Sequence, residues 1–295
     1  MKVSELFKFG VEAGIEADSR KIAENIEFEE LCKLYQDSAI HHDSRKEIKK
    51  VFVGIDCELQ ELLLADKLGA ECVLAHHPEG KALVNLWKVM DIHREAIIDA
   101  GVSVNAAERM VEERQDEVRK SFHGSNYNRA CDGAKLLNLS FINIHTPADN
   151  LANKFMQNYI EKEGFFTLKE ICEGVKKLPE YEFAALNGVI PKIVSGSDKY
   201  RAGKFFVKFN GGTSGSKKLF KSLETAGIST FICMHLPEAQ IEEAKKHSIN
   251  VIIMPHMASD SLGMNLLIDN IIEKSKFEFD VIAGSGFTRV SRRQK

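Results

Sequence analysis

Short β-branched runs alternate with amphipathic stretches along almost the whole chain, and this alternation constrains the fold more than any other feature. VFVGID (51–56), ECVLAHH (71–77), VSVNAA (102–107) and LSFINIHT (139–146) read as strands. CELQELLLADKLG (57–69) and KALVNLWKVMDIHREAIIDAG (81–101) read as helices, each stopping at a glycine. The second half repeats the rhythm. KIVSG, GKFFVKF, STFICMH, NVIIMPH and FDVIAG are strand-like, and KKLFKSLETAG, PEAQIEEAKKH and DSLGMNLLIDNIIEK are helix-like. Strand and helix signals of this length imply an α/β protein with layered sheets and helices and largely parallel pairing. A change of character near 147–180 divides the chain into a first α/β lobe, 1–150, and a second, 151–295, open to a C-terminal return to the first. Residues 106–138 form a charged helical insertion, whose 108–123 helix reads as a solvated or oligomer-facing surface.

Composition narrows the function classes. The chain has 295 residues and a net charge of −3, so no basic excess points to nucleic acid or an anionic membrane. Its apolar runs are too short to span a bilayer, and MKVSELFKFG is charged where a signal peptide needs an apolar core. The expected location is therefore cytoplasmic. Six scattered cysteines without a CxxC spacing argue against disulfides and against a thiolate zinc site.

Four expected strands end in histidine: LAHH (His76, His77), INIH (His145), ICMH (His235) and IMPH (His256). A fifth, GID, ends in Asp56. In open α/β sheets the carboxyl ends of the strands border the ligand crevice, so the topology delivers these side chains to one edge. Asp149 follows His145 by four residues and Asp260 follows His256 by four, about one helical turn. Adjacent residues in an extended strand point opposite ways, so His76 and His77 can share a centre only if the chain turns, as Pro78 encourages. Three histidines and two carboxylates exceed what one tetrahedral zinc takes and suit two divalent ions, with Zn, Fe, Mn and Co all compatible.

Other histidines admit plainer readings. His235 fits a hydrogen-bonded core residue. His145 fits ligation or support of a ligand equally. His41 and His42 lie in QDSAIHHDSRKE and read as a solvated loop. FNGGTSGS (209–216) lies between a strand and a helix. It is not a P-loop, and by itself it is a glycine-rich turn; beside a metal site, Gly211, Gly212, Thr213, Ser214 and Gly215 would suit a phosphate or substrate cradle.

AHHPEG, HTPAD and PHMASD, in this order and with GID and GGTSG in place, resemble the signatures of the Nif-three-like dinuclear metal-centre family, often labelled GTP cyclohydrolase type two. The resemblance spans roughly residues 25 to 290. It implies two similar α/β lobes with the metals in the cleft between them, and a ring-shaped homohexamer. It carries the ligand roles onto His76, His77, Asp149, His256 and Asp260. Two departures stand out: Asp260 replaces the family's usual glutamate, and the stretch between AHHPEG and HTPAD is longer. The implied activity is metal-dependent hydrolysis, with a small anionic or nucleotide-like ligand such as GTP and with His145 as proton carrier or support. The alternatives are a non-catalytic metal-binding scaffold or regulatory partner, and a metal-handling role.

Overall fold

The computed structural model describes residues 1–23 and 25–293. The first half contains α1 (Val3–Ala13), α2 (Phe28–Leu34), β1 (Ala39–His42), β2 (Lys50–Gly54), α3 (Leu59–Lys67), β3 (Cys72–Ala75), α4 (Gly80–Val84), α5 (Asp91–Asp99), α6 (Val104–Ser121), α7 (Arg129–Leu137), β4 (Ser140–Asn143) and α8 (Thr146–Glu163). The second contains α9 (Leu168–Val175), α10 (Pro179–Leu186), β5 (Lys192–Ser195), β6 (Phe205–Lys208), α11 (Leu219–Thr225), β7 (Thr230–Cys233), α12 (Glu238–Lys246), β8 (Asn250–Ile253), α13 (His256–Ser275) and β9 (Asp280–Ala283).

The strands form two sheets, ordered β1-β4-β3-β2-β9 and β5-β8-β7-β6. The inner strands pair in parallel, and one edge strand of each sheet, β1 or β5, runs antiparallel. Burial on both faces explains why β3 and β7 are continuous apolar runs and do not alternate. The sheets repeat one plan down to a detail: β1 slips register between Ile40 and His42, and β5 slips between Ile193 and Ser195. The chain therefore folds as two similar lobes, and its last strand, β9, returns to pair with β2 of the first sheet.

Helices α8 and α13 fill the layer between the sheets. Leu267, Ile268 and Ile271 share a core with Val51 and Leu74. Met156, Ile160 and Leu262 share another with Ile232 and Ile252. The two helices approach closely because Gly263 has no side chain; a Cβ there would stand 2.5 Å from the Ala148 carbonyl oxygen.

Three expectations change. The stretch 81–101 is a short helix, a 3-10 turn (Leu86–Met90) and α5, and not one helix. VSVNAA is not a strand: α6 starts at Val104, with Ser103 extended before it, and its apolar residues belong to a helical face. That face corrects the solvated reading of the charged helix. Met110, Val111 and Val118 pack with Phe220, Leu223 and Phe231 of the second lobe, while the charges occupy the other side.

Candidate metal centre

The site forms where strands hand over to helices. Beyond the end of β3, the His76 N–H donates to the Gly54 carbonyl and the His77 N–H to the Ile55 carbonyl, both at 2.9 Å, so the pair of histidines is still held by the neighbouring strand. His145 stands immediately before α8, with Pro147 in that helix's first turn. His256 opens α13 after Pro255. Asp149 and Asp260 each lie one turn further on, facing back to the histidine four residues before.

The chain brings the six residues His76, His77, His145, Asp149, His256 and Asp260 to one point. His76 Nε2 lies 3.3 Å from Asp149 Oδ1 and 3.6 Å from Asp260 Oδ1. His77 Nε2 lies 3.5 Å from Asp260 Oδ2, and His256 Nε2 lies 3.4 Å from the same oxygen. His145 Nε2 is 3.7 Å from Asp149 Oδ2. These separations are longer than a good hydrogen bond. They match instead the roughly 3 to 3.5 Å between two donors that each sit about 2.1 Å from a shared ion. Both ring nitrogens of His76 and both oxygens of Asp260 are buried without a hydrogen-bond partner among the described residues. Orphaned buried polar atoms are costly, and a cation among them would satisfy the set. Three overlapping groups of donors lie within 4.8 Å of one another: His76–His77–His145, His77–His256–Asp260 and His76–Asp149–Asp260.

The electrostatics agree. Burial holds the His76 imidazole well below its usual value, so it is a neutral donor. Burial also works against charge on His77, but the carboxylates of Asp260 and Asp56 beside it outweigh it and raise His77 to about 10. The pocket thus calls for positive charge beside Asp260. Burial lifts the Asp149 carboxyl to about 6.

Two supporting carboxylates stand behind the histidines. Asp56, the GID aspartate, takes a hydrogen bond from His77 Nδ1 at 2.7 Å. Asp37 does the same for His145 Nδ1 at 2.8 Å and was not legible in the sequence. It precedes an edge strand of four residues with a single aliphatic pair, so nothing in the local pattern marks it. That strand also corrects the reading of His41 and His42 as a loop. Both lie in β1, the His41 ring packs tilted against Phe141 with centroids 4.9 Å apart, and its Nε2 is 2.9 Å from Asn143 Oδ1.

Across the cluster lies a cavity of about 330 Å3, bordered by His77, Glu79, Asp149 and His256 on one side and by Gly212–Gly215, Lys208 and His235 on the other. Gly211 is set back against His93, where a Cβ would fall 1.8 Å from the imidazole, and its φ of 86° is in the left-handed region. Sheet register makes the two walls counterparts. Gly54 pairs with Ala75 in the first lobe and Lys208 with Cys233 in the second, so His235 occupies the position of His77. His235 is no core residue: it borders the cavity, with Nδ1 at 3.1 Å from Ser214 Oγ and its ring 5.1 Å from that of His256.

Fold and cluster together define a two-lobed α/β protein able to hold metal in its cleft. The chain is similar to a NIF3 superfamily protein from Sphaerobacter thermophilus, at 26% identity and a TM-score of 0.81, over 97% of this chain and 99% of that one. It shares its fold with reduced HcgD from Methanocaldococcus jannaschii (15% identity, TM-score 0.58, 96% and 97% of the two chains). The same holds for a Bacillus cereus protein related to NIF3 (10% identity, TM-score 0.52, 96% of each chain). The chain is a NIF3-like protein. No protein-family model matches it, and no curated protein does. Among the described residues no helix is long and apolar enough to cross a membrane.

Proposed function

We propose that the chain is a metal-dependent hydrolase whose cleft holds two divalent ions. One observation carries the reading: the buried donor atoms of His76 and Asp260 lack hydrogen-bond partners among the described residues and lie at ligand-to-ligand spacing from Asp149, His77 and His256. His76, His77, Asp149, His256 and Asp260 are the ligands in this reading. Of the two roles the sequence leaves open for His145, ligation fits better, because its Nε2 lies among the donors of His76 and His77. Two such ions would act as Lewis acids and lower the pKa of water toward neutrality.

The chain's own groups supply the rest. Asp37 and Asp56 fix the His145 and His77 rings by accepting from Nδ1, which directs each Nε2 at the cluster. Glu79 borders the cavity, and burial followed by repulsion from Glu58 holds its carboxyl up at about 7, a value suited to taking and returning a proton near neutral pH. The resemblance favours a nucleotide such as GTP as substrate and a homohexamer as the assembly. Exposed Leu59, Leu63, Leu64 and Leu136 on the packed helices α3 and α7 offer an apolar face for such contacts.

The test is metal analysis of the purified chain, followed by an activity panel of nucleotides, GTP included, and phosphoesters with added manganese, zinc or iron. About two ions per chain and turnover above a chelated control are expected. Bound ions without turnover would make the chain a metal-binding scaffold, and a chain without transition metal would end the proposal.

A further inference from the structure

The second-lobe wall of the cleft carries a buried cation with no ion-pair partner among the described residues. Lys208 is 8% exposed, and no carboxylate among the described residues lies within ion-pair distance of its ammonium. Its Nζ donates to the carbonyls of Asn210 at 3.2 Å and Thr213 at 2.9 Å, which leaves one N–H unassigned on the cavity wall. A buried charge without a partner is expensive, and a fold keeps one where something completes it.

The surroundings of Lys208 are built. His93 Nε2 takes hold of the Asn210 carbonyl at 3.2 Å, and the Arg114 Nε–H donates to the Ser214 carbonyl at 3.1 Å. The turn is thus clamped by its carbonyls to Lys208, His93 and Arg114, and helices α5 and α6 supply two of these clamps. The amide groups of Gly212, Ser214 and Gly215 donate to no protein acceptor among the described residues, and all three residues border the cavity. His235 adds an imidazole whose Nδ1 is tied to Ser214 Oγ, with its Nε2 free of protein partners among the described residues. The first-lobe wall facing these donors is carboxylate-rich, with Asp56, Glu79 and Asp149. Charge is therefore segregated across the cavity, carboxylates on one side and cationic and neutral donors on the other.

We propose that Lys208, His235 and the amides of Gly212, Ser214 and Gly215 form an oxyanion seat for the phosphate group of a phosphorylated small-molecule substrate, held opposite the metal centre. This rests on the metal-cleft reading above and names its substrate class. A phosphate group offers several acceptor oxygens and so can take hydrogen bonds together from an ammonium, from amides and from the His235 Nε2–H, which is set when the Ser214 hydroxyl donates to Nδ1. A carboxylate offers two. Lys208 stands at the register position that Gly54 occupies in the first sheet, so this wall is a specialisation of the second lobe, since the first lobe has no side chain at that point.

The experiment titrates inorganic phosphate into the full chain as purified, by calorimetry, with acetate as the carboxylate control and metal content measured on each sample. Lys208→Met is expected to weaken phosphate binding about tenfold or more, the worth of one charged hydrogen bond, with metal content unchanged. His235→Gln leaves the turn's clamps intact and is expected to weaken it about threefold or more, which keeps the test open if Lys208→Met fails to fold. Acetate is expected to bind about tenfold more weakly than phosphate to the wild type. Wild-type phosphate affinity in both variants, or equal binding of acetate and phosphate, overturns the proposal. Failure of the metal reading would show separately, as missing ions in the wild type, and the comparison between equally metal-free proteins would still report on the seat.

Discussion

Asp37 and His145, 108 residues apart in sequence, meet in a buried hydrogen bond of 2.8 Å between Oδ2 and Nδ1. The same oxygen accepts from the Thr146 hydroxyl at 2.6 Å and the Thr146 N–H at 3.2 Å, so one carboxylate fixes both the imidazole and the start of α8. Burial alone would raise the Asp37 pKa, but these bonds outweigh it and keep Asp37 ionised. With the proton on Nδ1, the Nε2 lone pair faces the cluster.

Asp37→Asn weakens this orientation while keeping the volume. We expect metal affinity to fall by about 10- to 100-fold, as is usual when a ligand's orienting carboxylate is lost. A chelator competition titration measures it. Affinity within about twofold of the wild type would show that His145 does not need Asp37 to reach the centre.

The tandem histidines should matter more than either supporting acid. The double variant His76→Ala, His77→Ala removes donors from all three overlapping groups and should strip most of the metal. It should remain soluble, because these side chains lie beyond the end of β3 and contribute donor atoms to the cluster. Elemental analysis next to a circular dichroism spectrum checks both halves; full metal content in a folded double variant would sink the assignment.

The sequence carried a large part of this arrangement, for identifiable reasons. Parallel strands buried on both faces write themselves as apolar runs, so β2, β3, β7 and β8 were readable together with the histidines at their ends. The four-residue spacings were readable because helices place i and i+4 on one face. Asp37, Lys208 and β1 were not. Each owes its place to contacts across the fold: Asp37 to His145, Lys208 to a turn two strands away from the metal ligands, and β1 to the edge of β4. The packing of α6 on the second lobe was equally hidden, since Ala107, Met110, Val111 and Val118 form a narrow stripe in a helix otherwise full of charge.

The distance between the two carboxylate-bearing helices is set by Gly263. Its added methyl in Gly263→Ala would meet the Ala148 carbonyl at 2.5 Å, one residue from Asp149, so α8 and α13 must separate. We expect a loss of about 1–3 kcal/mol in urea unfolding, the range for overpacking a tight contact. Metal affinity should fall with it, because Asp149 and Asp260 lie on the two helices being forced apart. Reduced stability with undiminished affinity would mean that the ligand set tolerates the shift.

Acid should destabilise the protein through histidines that fold in the neutral form. Burial lowers His41 to about 4, against the opposing hydrogen bond to Asn143. The unfolded chain takes up that proton near 6.5, so this contribution is complete above about pH 6.5 and is lost as pH falls toward 4. Between about pH 7 and about pH 5 it amounts to roughly 2 kcal/mol. His41→Gln removes the titration and retains an amide able to face Asn143. Urea unfolding of both proteins at the two pH values, with chelator present throughout, isolates the difference, because His93 and His235 titrate alike in each. The wild type should lose roughly 2 kcal/mol more than the variant on acidification. Equal losses would mean that His41 is free to charge in the folded chain, and that β1 is held less tightly against β4 than its hydrogen bond implies.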